Sequence, residues 1–197
     1  MSAIKLIPAS GGGSVSLAPP NSTSGADVTF TLPSTSQSFG KILQVVQTVK
    51  TDTSSIGAQY DSPVDLGISC AITPTATSSK ILVDCNLNIG GEDMFGMYLF
   101  LLRGSTNILL SAPDGNRTRA SKYIDHYANT NDLYNSVDVN IKYLDSPSTT
   151  SATTYKIQGA TYSANKEMYL NRNHNNRDSA DYDGRGTSTI TLMEVAA

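Results

Sequence analysis

The 197-residue chain has no tryptophan, only two cysteines and only two histidines. The cysteines have neither a CxxC spacing nor a nearby set of histidines, which argues against a metal site. Because Cys70 and Cys85 each lie in an apolar, strand-like run, we expect reduced, buried thiols, with a bridge between adjacent strands as the alternative. No apolar run approaches the roughly 18–20 residues that span a bilayer, and the first ten residues do not resemble a secretory signal. We therefore expect a chain made in the cytoplasm, without membrane insertion.

Charged residues are also scarce, at 16% of the chain, and the net charge is −3. This balance argues against a dominant surface for nucleic acid or anionic lipid. Catalytic signatures are missing: there is no GxSxG elbow, HExxH pattern or cysteine–histidine signature, and His126 and His174 sit in loops rich in Asn and Asp. Glu92 and Asp93 are adjacent, so on an extended chain their side chains would diverge rather than act as a pair. We expect a protein that is not an enzyme and that holds no cofactor and no metal.

Serine and threonine, by contrast, are abundant and together supply 46 residues. Thr, Val, Ile and Tyr suit pleated strands, whereas Ser, Asn, Asp and Gly suit the turns between them. No stretch repeats apolar residues with the i, i+3, i+4, i+7 spacing of an amphipathic helix. The sequence therefore predicts an all-β fold, and an antiparallel, jelly-roll-like β-sandwich is the most economical architecture.

About eight strand-like runs follow one another between polar turns. Residues 81–89 alternate most clearly, with every second side chain apolar and directed to a core. Residues 98–102 are continuously apolar, which predicts a central strand buried on both faces or at a subunit interface. A hairpin turning at residues 104 and 105 is expected, and the last run places the end of the chain inside the fold. The runs are residues 41–50, 65–72, 80–89, 97–103, 107–110, 137–143, 155–157 and 187–195.

Residues 1–40 differ from the rest in composition, because they contain a glycine run and a proline pair but few residues that could form a core. They predict an extended N-terminal arm, followed by a head domain over residues 41–197. Residues 15–17 and 28–32 alternate apolar side chains with Ser or Thr, which indicates two short strand-like pieces. Neither piece could be stable alone, so each needs a neighbouring copy of the chain or another protein. A disordered tail is the alternative interpretation.

Residues 7–33, IPASGGGSVSLAPPNSTSGADVTFTLP, resemble a linker unit found in tail-fibre and other virion proteins of tailed bacteriophages, especially phages of marine bacteria. Four later pieces resemble the head domains that follow such linkers: FLLRGST at 100–106, LDSPSTTSATTYKIQG at 144–159, NR at 171–172 and RGTSTITLMEVAA at 185–197. The resemblance implies a homotrimeric β-sandwich head, similar in outline to tumour-necrosis-factor-like jelly rolls. The chain departs from the family in having one linker unit, one head and no long shaft.

This resemblance predicts a virion structural protein of the tail or capsid surface, made in the cytoplasm of the host bacterium. The chain would be a fibre or spike subunit whose trimeric head attaches to the host surface and whose residues 1–40 dock into other virion proteins. A trimer also has a physical rationale, because a Ser/Thr-rich sandwich without tryptophan has limited apolar area to bury by itself. The alternative is a capsid decoration or tail-adaptor subunit that stabilises the particle without receptor binding.

The segment 171–186, NRNHNNRDSADYDGRG, is the strongest candidate for a functional surface, because loops between late strands of a jelly roll are displayed to solvent. Its amides and carboxylates suit the hydroxyl groups of a host glycan, a tyrosine face suits the apolar side of a sugar ring, and a host protein is an alternative ligand. The candidate ligand-binding residues are Arg172, His174, Arg177, Asp178, Asp181, Tyr182, Asp183 and Arg185.

Other interpretations of this segment stay open. Asp178, Asp181 and Asp183 could gather a calcium ion, although their spacing departs from that of a calcium-binding hand loop. The segment could also be a solvated or subunit-packing loop. A second loop, residues 113–135, could line the same surface or the other end of the sandwich, and it contains Arg117, Arg119, Tyr123 and Tyr127.

Overall fold

The computed structural model describes Ile4–Leu6, Val15–Leu17 and residues 41–92, 96–125 and 135–197. The chain divides into two compact units, Met1–Gln37 and Ser38–Ala197. In the first unit, β1 (Ile4–Leu6) pairs antiparallel with β2 (Val15–Leu17). The strand predicted at residues 15–17 is therefore present, whereas the piece predicted at residues 28–32 lies outside the described residues.

The second unit is an antiparallel β-sandwich, and no helix occurs in its described residues. Accordingly, none of those residues forms a helix long and apolar enough to cross a membrane. The strands are β3 (Ile42–Lys50), β4 (Ser54–Ile56), β5 (Val64–Ile72), β6 (Lys80–Gly91), β7 (Met97–Arg103), β8 (Thr106–Leu109), β9 (Lys122–Ile124), β10 (Ser136–Asp145), β11 (Thr153–Thr161), β12 (Met168–Leu170) and β13 (Ser188–Val195).

Two sheets make up the sandwich. In the first, β6 pairs with β10 on one side and with both β13 and β12 on the other, while β3 and β4 pair with the far edges of β13 and β12. In the second, the order is β5, β11, β7, and then β8 and β9, which pair with opposite ends of β7. Three sheet positions are therefore each filled by two strands placed end to end.

Counting each end-to-end pair as one strand gives four positions in each sheet. β3 continues into β4, β8 continues into β9 after a loop, and β12 continues into β13 after a longer loop. The chain crosses between sheets at every connection except the β7–β8 hairpin, which is the path of an eight-stranded jelly roll. The predicted all-β, jelly-roll-like sandwich is confirmed.

The eight predicted runs correspond to the eight sheet positions. The hairpin turns at Gly104, whose positive φ of 58° suits glycine. The strand predicted to be buried on both faces is β7: Leu99 and Leu101 enter the main core, while Phe100 and Leu102 form a smaller cluster on the opposite face. The sequence did not reveal β4, β9 and β12, because three residues are too few to display a periodicity.

The main core lies between the sheets and contains both cysteines. Cys70 and Cys85 are free and buried, as expected, and burial raises the pKa of the Cys85 thiol to about 12. At one end of the sandwich, Asp145 of the first sheet binds two groups of the second: Arg103 Nη1 lies 2.8 Å from its Oδ2, and the Tyr155 hydroxyl donates to the same oxygen at 2.7 Å. This contact ties the two sheets together beside the core.

The end of the chain is inside the fold, as predicted. β13 lies between β3 and β6, and its side chains Ile190 and Leu192 are fully buried. Glu194, also buried, accepts hydrogen bonds from the backbone N–H of Thr75 (2.7 Å) and from Gln44 Nε2 (2.6 Å). Burial opposes ionisation of Glu194, but hydrogen bonds from Thr75, Gln44 and Ser79 outweigh it and hold the pKa at about 2.

Candidate functional site

The polar segment predicted to be functional interrupts a strand in the interior of the first sheet. β12 ends at Leu170 and β13 begins at Ser188, and both pair with the same edge of β6. The intervening residues 171–187 leave the sheet as a loop and return to the same line. A break in an interior strand leaves backbone groups unpaired on both neighbours, so the loop must supply replacements.

Asn171 supplies most of those replacements. Asn171 is fully buried and adopts a left-handed backbone conformation, with φ of 64°. The side-chain amide donates to the carbonyl oxygens of Lys50 (2.9 Å) and Asp52 (2.8 Å), where β3 gives way to β4. Its backbone N–H donates to the Asn88 carbonyl on β6 at 2.8 Å. One residue therefore connects the broken strand to both of its neighbours.

Ser188 completes the closure at the other end of the loop. Its hydroxyl donates to Asn171 Oδ1 at 2.6 Å and accepts a hydrogen bond from the Asn88 N–H at 3.0 Å. Gly186 then donates its N–H to the Asn171 carbonyl at 3.1 Å. The ladder hydrogen bonds that the break would remove are thus replaced locally.

Two glycines allow the loop to lie directly against β6. A side chain at Gly90 would collide with the backbone of Arg172, at the start of the loop. A Cβ at Gly186, near its end, would lie 2.6 Å from the side chain of Asn88. Any larger residue at either position would push the loop away from the sheet.

Inside the loop, Asp183 is the main acceptor. Its carboxylate receives hydrogen bonds from Asn173 Nδ2 (2.6 Å), the Arg177 N–H (2.9 Å) and Arg177 Nε (2.6 Å). The side chain is 1% exposed, and the hydrogen bond from Arg177 holds the pKa of Asp183 below its usual range. Asp183 therefore orders the loop rather than facing a ligand.

Arg172 and His174 also turn inward, towards Tyr169 of β12. The Arg172 guanidinium lies 3.7 Å from the centre of the Tyr169 ring, and the Tyr169 hydroxyl lies 2.8 Å from His174 Nδ1 and 2.6 Å from Glu167 Oε2. Because the phenol has one proton and a carboxylate is the stronger acceptor, we assign the Nδ1 proton to His174. The pKa of Tyr169 is raised mainly by burial, and the hydrogen bond to Glu167 raises it further.

The exposed members of the predicted set are Arg177, Asp178, Asp181, Tyr182 and Arg185. Tyr182 is 67% exposed, and the Arg177 guanidinium lies 5.3 Å from the centre of its ring. Within the described part of the chain, which includes this whole loop, no three His, Cys, Asp or Glu side chains are grouped so that they could hold a metal ion. The alternative of a calcium site formed by the loop aspartates is therefore not supported.

Two adjoining clefts open between the loop and the outer face of the first sheet. The larger, of about 460 Å³, is lined by Asn86, Asn88, Asp138, Gly186, Thr187 and Thr189. The smaller, of about 190 Å³, is lined by Asn88, Ser136, Asn173, Tyr182, Gly184, Arg185 and Gly186. Asn88 and Gly186 line both, so the clefts form one polar groove, hereafter the loop groove. Tyr182 and Arg185 are the predicted residues that it includes.

The loop groove combines amide, carboxylate, hydroxyl, phenol and guanidinium groups. Asn88 Nδ2 donates to Asp138 Oδ1 at 3.0 Å, which fixes both side chains at the floor. A polyhydroxylated ligand such as a glycan needs donors and acceptors of this mixed kind. Asn86, Asn88 and Asp138 lie on outward faces of strands, but the sequence gives no sign that they adjoin the loop, because that depends on the pairing of β10 with β6.

The second predicted loop is divided in the structure. Residues 110–121 form a loop between β8 and β9, where Arg117 pairs with Asp114 and Arg119 Nε donates to the Ser111 carbonyl at 2.6 Å. Tyr123 lies on β9, in the second sheet. His126 and Tyr127 fall outside the described residues, as does Asp93. Residues 110–125 therefore belong to the second sheet, whereas the loop groove lies on the first.

No protein-family model matches the chain, and no curated protein matches its sequence. The function must therefore be inferred from the residues and their arrangement.

Proposed function

We propose that this chain is a structural subunit of a bacteriophage virion, a fibre or spike protein whose sandwich assembles as a homotrimer and attaches to the host surface. The proposal joins the sequence resemblance to one structural observation: the outer face of the first sheet carries an apolar row. The role requires no catalysis. Residues 1–40 are the proposed connection to other virion proteins.

The apolar row crosses the whole width of the first sheet. Leu144 of β10 is opposite Leu82 of β6, Leu82 is opposite Met193 of β13, and Met193 is opposite Val45 of β3. Leu144 is 47% exposed and Val45 is 55% exposed. Ile42, also on β3, is 47% exposed and enlarges the patch. Such a contiguous apolar surface is a candidate for contact with another protein.

The next row on this face is polar but nearly neutral. Lys142 and Asp84 face each other and form an ion pair of 2.9 Å. Beside them, Gln47 Nε2 donates to Thr191 Oγ1 at 2.7 Å. Copies arranged about an axis parallel to the strands would place each row beside the same row of its neighbour. Apolar groups would then meet apolar groups, and the internally paired charges would meet without repulsion.

The loop groove opens at the opposite end of the same face. Asp138 at its floor is six residues along β10 from Leu144, which corresponds to about 20 Å. A trimer held at the apolar row would therefore gather three grooves at the far end of the head. Three weak sites on one rigid body bind a repetitive cell surface far more strongly than one.

The mass of the full chain in solution, measured by light scattering, tests the assembly. We expect a trimer, and we expect the same from a variant that begins at residue 41. Val45→Asp and Leu144→Asp should yield monomers that melt cooperatively, because both positions are exposed on the proposed contact face. Val64→Asp is the matched control, since Val64 is 42% exposed but lies on the second sheet. A monomeric wild-type chain would contradict the trimer.

Attachment requires a separate experiment. The purified trimer should bind cells that are sensitive to the phage encoding it, and it should compete with infection. A decoration or adaptor subunit would instead bind particles that lack it and leave cells unlabelled. That outcome would overturn the attachment role while leaving the virion assignment in place.

A further inference from the structure

Three tyrosines form a row across one end of the outer face of the second sheet. Tyr98 on β7 is opposite Tyr123 on β9, and their ring centres are 5.1 Å apart with a tilt of 37°. Tyr60 approaches Tyr98 from the other side, with ring centres 6.4 Å apart and a near edge-to-face angle of 63°. Tyr60 is 41% exposed and Tyr123 is 53% exposed. We name these three residues the tyrosine row.

The backbone explains why the rings meet. Tyr98 is opposite Ala160 on β11, and the small side chain of Ala160 leaves space for the tyrosine rings. Gln59 forms a bridge to Thr161, the next residue along β11, which brings Tyr60 to the same edge. Ala160 is fully buried beneath this arrangement, together with Phe100 and Leu102 in the small outer cluster. The tyrosine row therefore rests on a packed floor.

Polar groups flank the aromatic surface. The Tyr123 hydroxyl donates to Asp125 Oδ2 at 3.0 Å. In the next row, Gln158 is opposite Phe100, and its Nε2 donates to Asp65 Oδ1 at 2.8 Å. Lys156 Nζ donates to the other oxygen of Asp65 at 2.9 Å. The exposed tyrosine rings thus lie beside the Asp125 carboxylate, the Gln158 amide and the ion pair of Lys156 with Asp65.

We propose that the tyrosine row binds a saccharide chain. The exposed faces of Tyr60 and Tyr123 stack against the apolar faces of sugar rings, while Asp125 and Gln158 form hydrogen bonds with sugar hydroxyls. Tyrosine suits this task because its ring is apolar and rigid and its hydroxyl keeps the edge polar.

The geometry favours a sugar over a quaternary ammonium ion. A cation of that kind is bound by ring faces that surround it. Here the rings pack against one another at 5.1 and 6.4 Å, so they fill the space between them and present their outer faces. A flat ligand of stacked rings and hydroxyls fits this surface better than a spherical cation.

The site extends the proposed attachment role, because it would give the head a second glycan contact, but it lies on the sheet opposite the apolar row. A test on the tyrosine row therefore does not depend on assembly. If the chain proves monomeric and still binds saccharides here, the trimer is wrong and this site remains.

The experiment is a calorimetric titration of the full chain with three hexasaccharides, built from β-1,4-linked glucose, β-1,4-linked N-acetylglucosamine and α-1,6-linked mannose. Binding is also visible in tyrosine fluorescence, because the chain has no tryptophan to mask it. We expect one of the probes to bind and Tyr60→Ala and Tyr123→Ala each to weaken it by at least about tenfold. Tyr123→Phe keeps the ring and should weaken it far less.

Val49→Ala is the control, because Val49 is 53% exposed on β3 of the other sheet and lines neither the tyrosine row nor the loop groove. It should leave hexasaccharide binding at the tyrosine row unchanged. The proposal is overturned if none of the three probes binds at millimolar concentration, if the Tyr60 and Tyr123 variants bind as wild type, or if choline binds to the row in their place. Thermal melts of each variant establish that the fold is intact.

Discussion

Each sheet contains a strand interrupted by a long loop, and these two long interruptions are closed in different ways. In the second sheet, the Ser121 hydroxyl links both sides of the break at residues 110–121: it accepts from the Leu101 N–H at 2.8 Å and donates to the Leu109 carbonyl at 2.6 Å. In the first sheet, closure of residues 171–187 requires Asn171 and Ser188, with contacts to two different strands.

The difference follows from the position of each broken strand. β8 and β9 lie at the edge of their sheet, so the break exposes unpaired groups only on β7. β12 and β13 lie between β6 and the line of β3 and β4, so the break affects both sides. An edge loop needs one hydroxyl, whereas an interior loop needs an amide that can donate twice and accept once. Buried polar groups without partners are costly, which explains the extra residue.

Asn171→Ala should have the largest effect on this comparison. It removes two hydrogen bonds donated by the amide and one accepted by it, and it leaves Lys50 and Asp52 carbonyls without that partner. We expect a loss of about 4 kcal/mol in the free energy of unfolding, measured by urea denaturation. Asn171→Gly removes the same bonds but tolerates the positive φ, so it should be about 1 kcal/mol less harmful. A loss below about 1 kcal/mol for Asn171→Ala would contradict the account of the interior break.

Glu194 tests the other end of the same interior strand. Its pKa of about 2 lies below the usual 4.5, so its contribution to stability is complete above about pH 4.5 and is lost as the pH falls towards 2. That contribution is about 3 kcal/mol. Glu194→Gln should lower stability at neutral pH and flatten the pH dependence in this window, measured by urea denaturation across the range. Val195→Ala is the control, and it should keep the wild-type slope. A wild-type slope in Glu194→Gln would refute the assignment.

Ser121→Ala should have the smallest of the three effects. It removes one donated and one accepted hydrogen bond at the edge of the second sheet, for an expected loss of about 1–2 kcal/mol. Ser111→Ala, an exposed serine at the other end of the same loop, should change stability by less than about 0.5 kcal/mol. If Ser121→Ala were as harmful as Asn171→Ala, the distinction between edge and interior breaks would disappear.

The sequence predicted the sandwich because seven of the eight runs were at least four residues long, enough to show an alternating or a continuously apolar pattern. Alternation from Ile81 to Ile89 assigned the correct face of β6 to the core, and the apolar run around Phe100 predicted burial on both faces of β7. The interruptions were invisible, because β4, β9 and β12 are three residues long and only pairing reveals that they continue another strand.

The candidate site was only partly predictable for the same reason. Loop composition identified Tyr182 and Arg185, which line the loop groove. It also identified Asp183 and His174, whose partners within the fold leave them facing inward. Composition reports which groups a loop contains, whereas their direction depends on contacts with residues distant in sequence. Asn88 and Asp138 adjoin the loop only because β10 pairs with β6 in this register.

Asn171, Gly186 and Ser188 close the break in the sheet, so the sheet does not depend on the other residues of the loop. The residues between Asn171 and Gly186 do not have to complete the ladder, since the closing residues already do so. Substitutions, and even changes in length, at the exposed crest around Tyr182 are therefore expected to leave the sandwich intact. A protein with this arrangement can diversify what it recognises while inheriting one unchanged scaffold, as antibodies do with their variable loops.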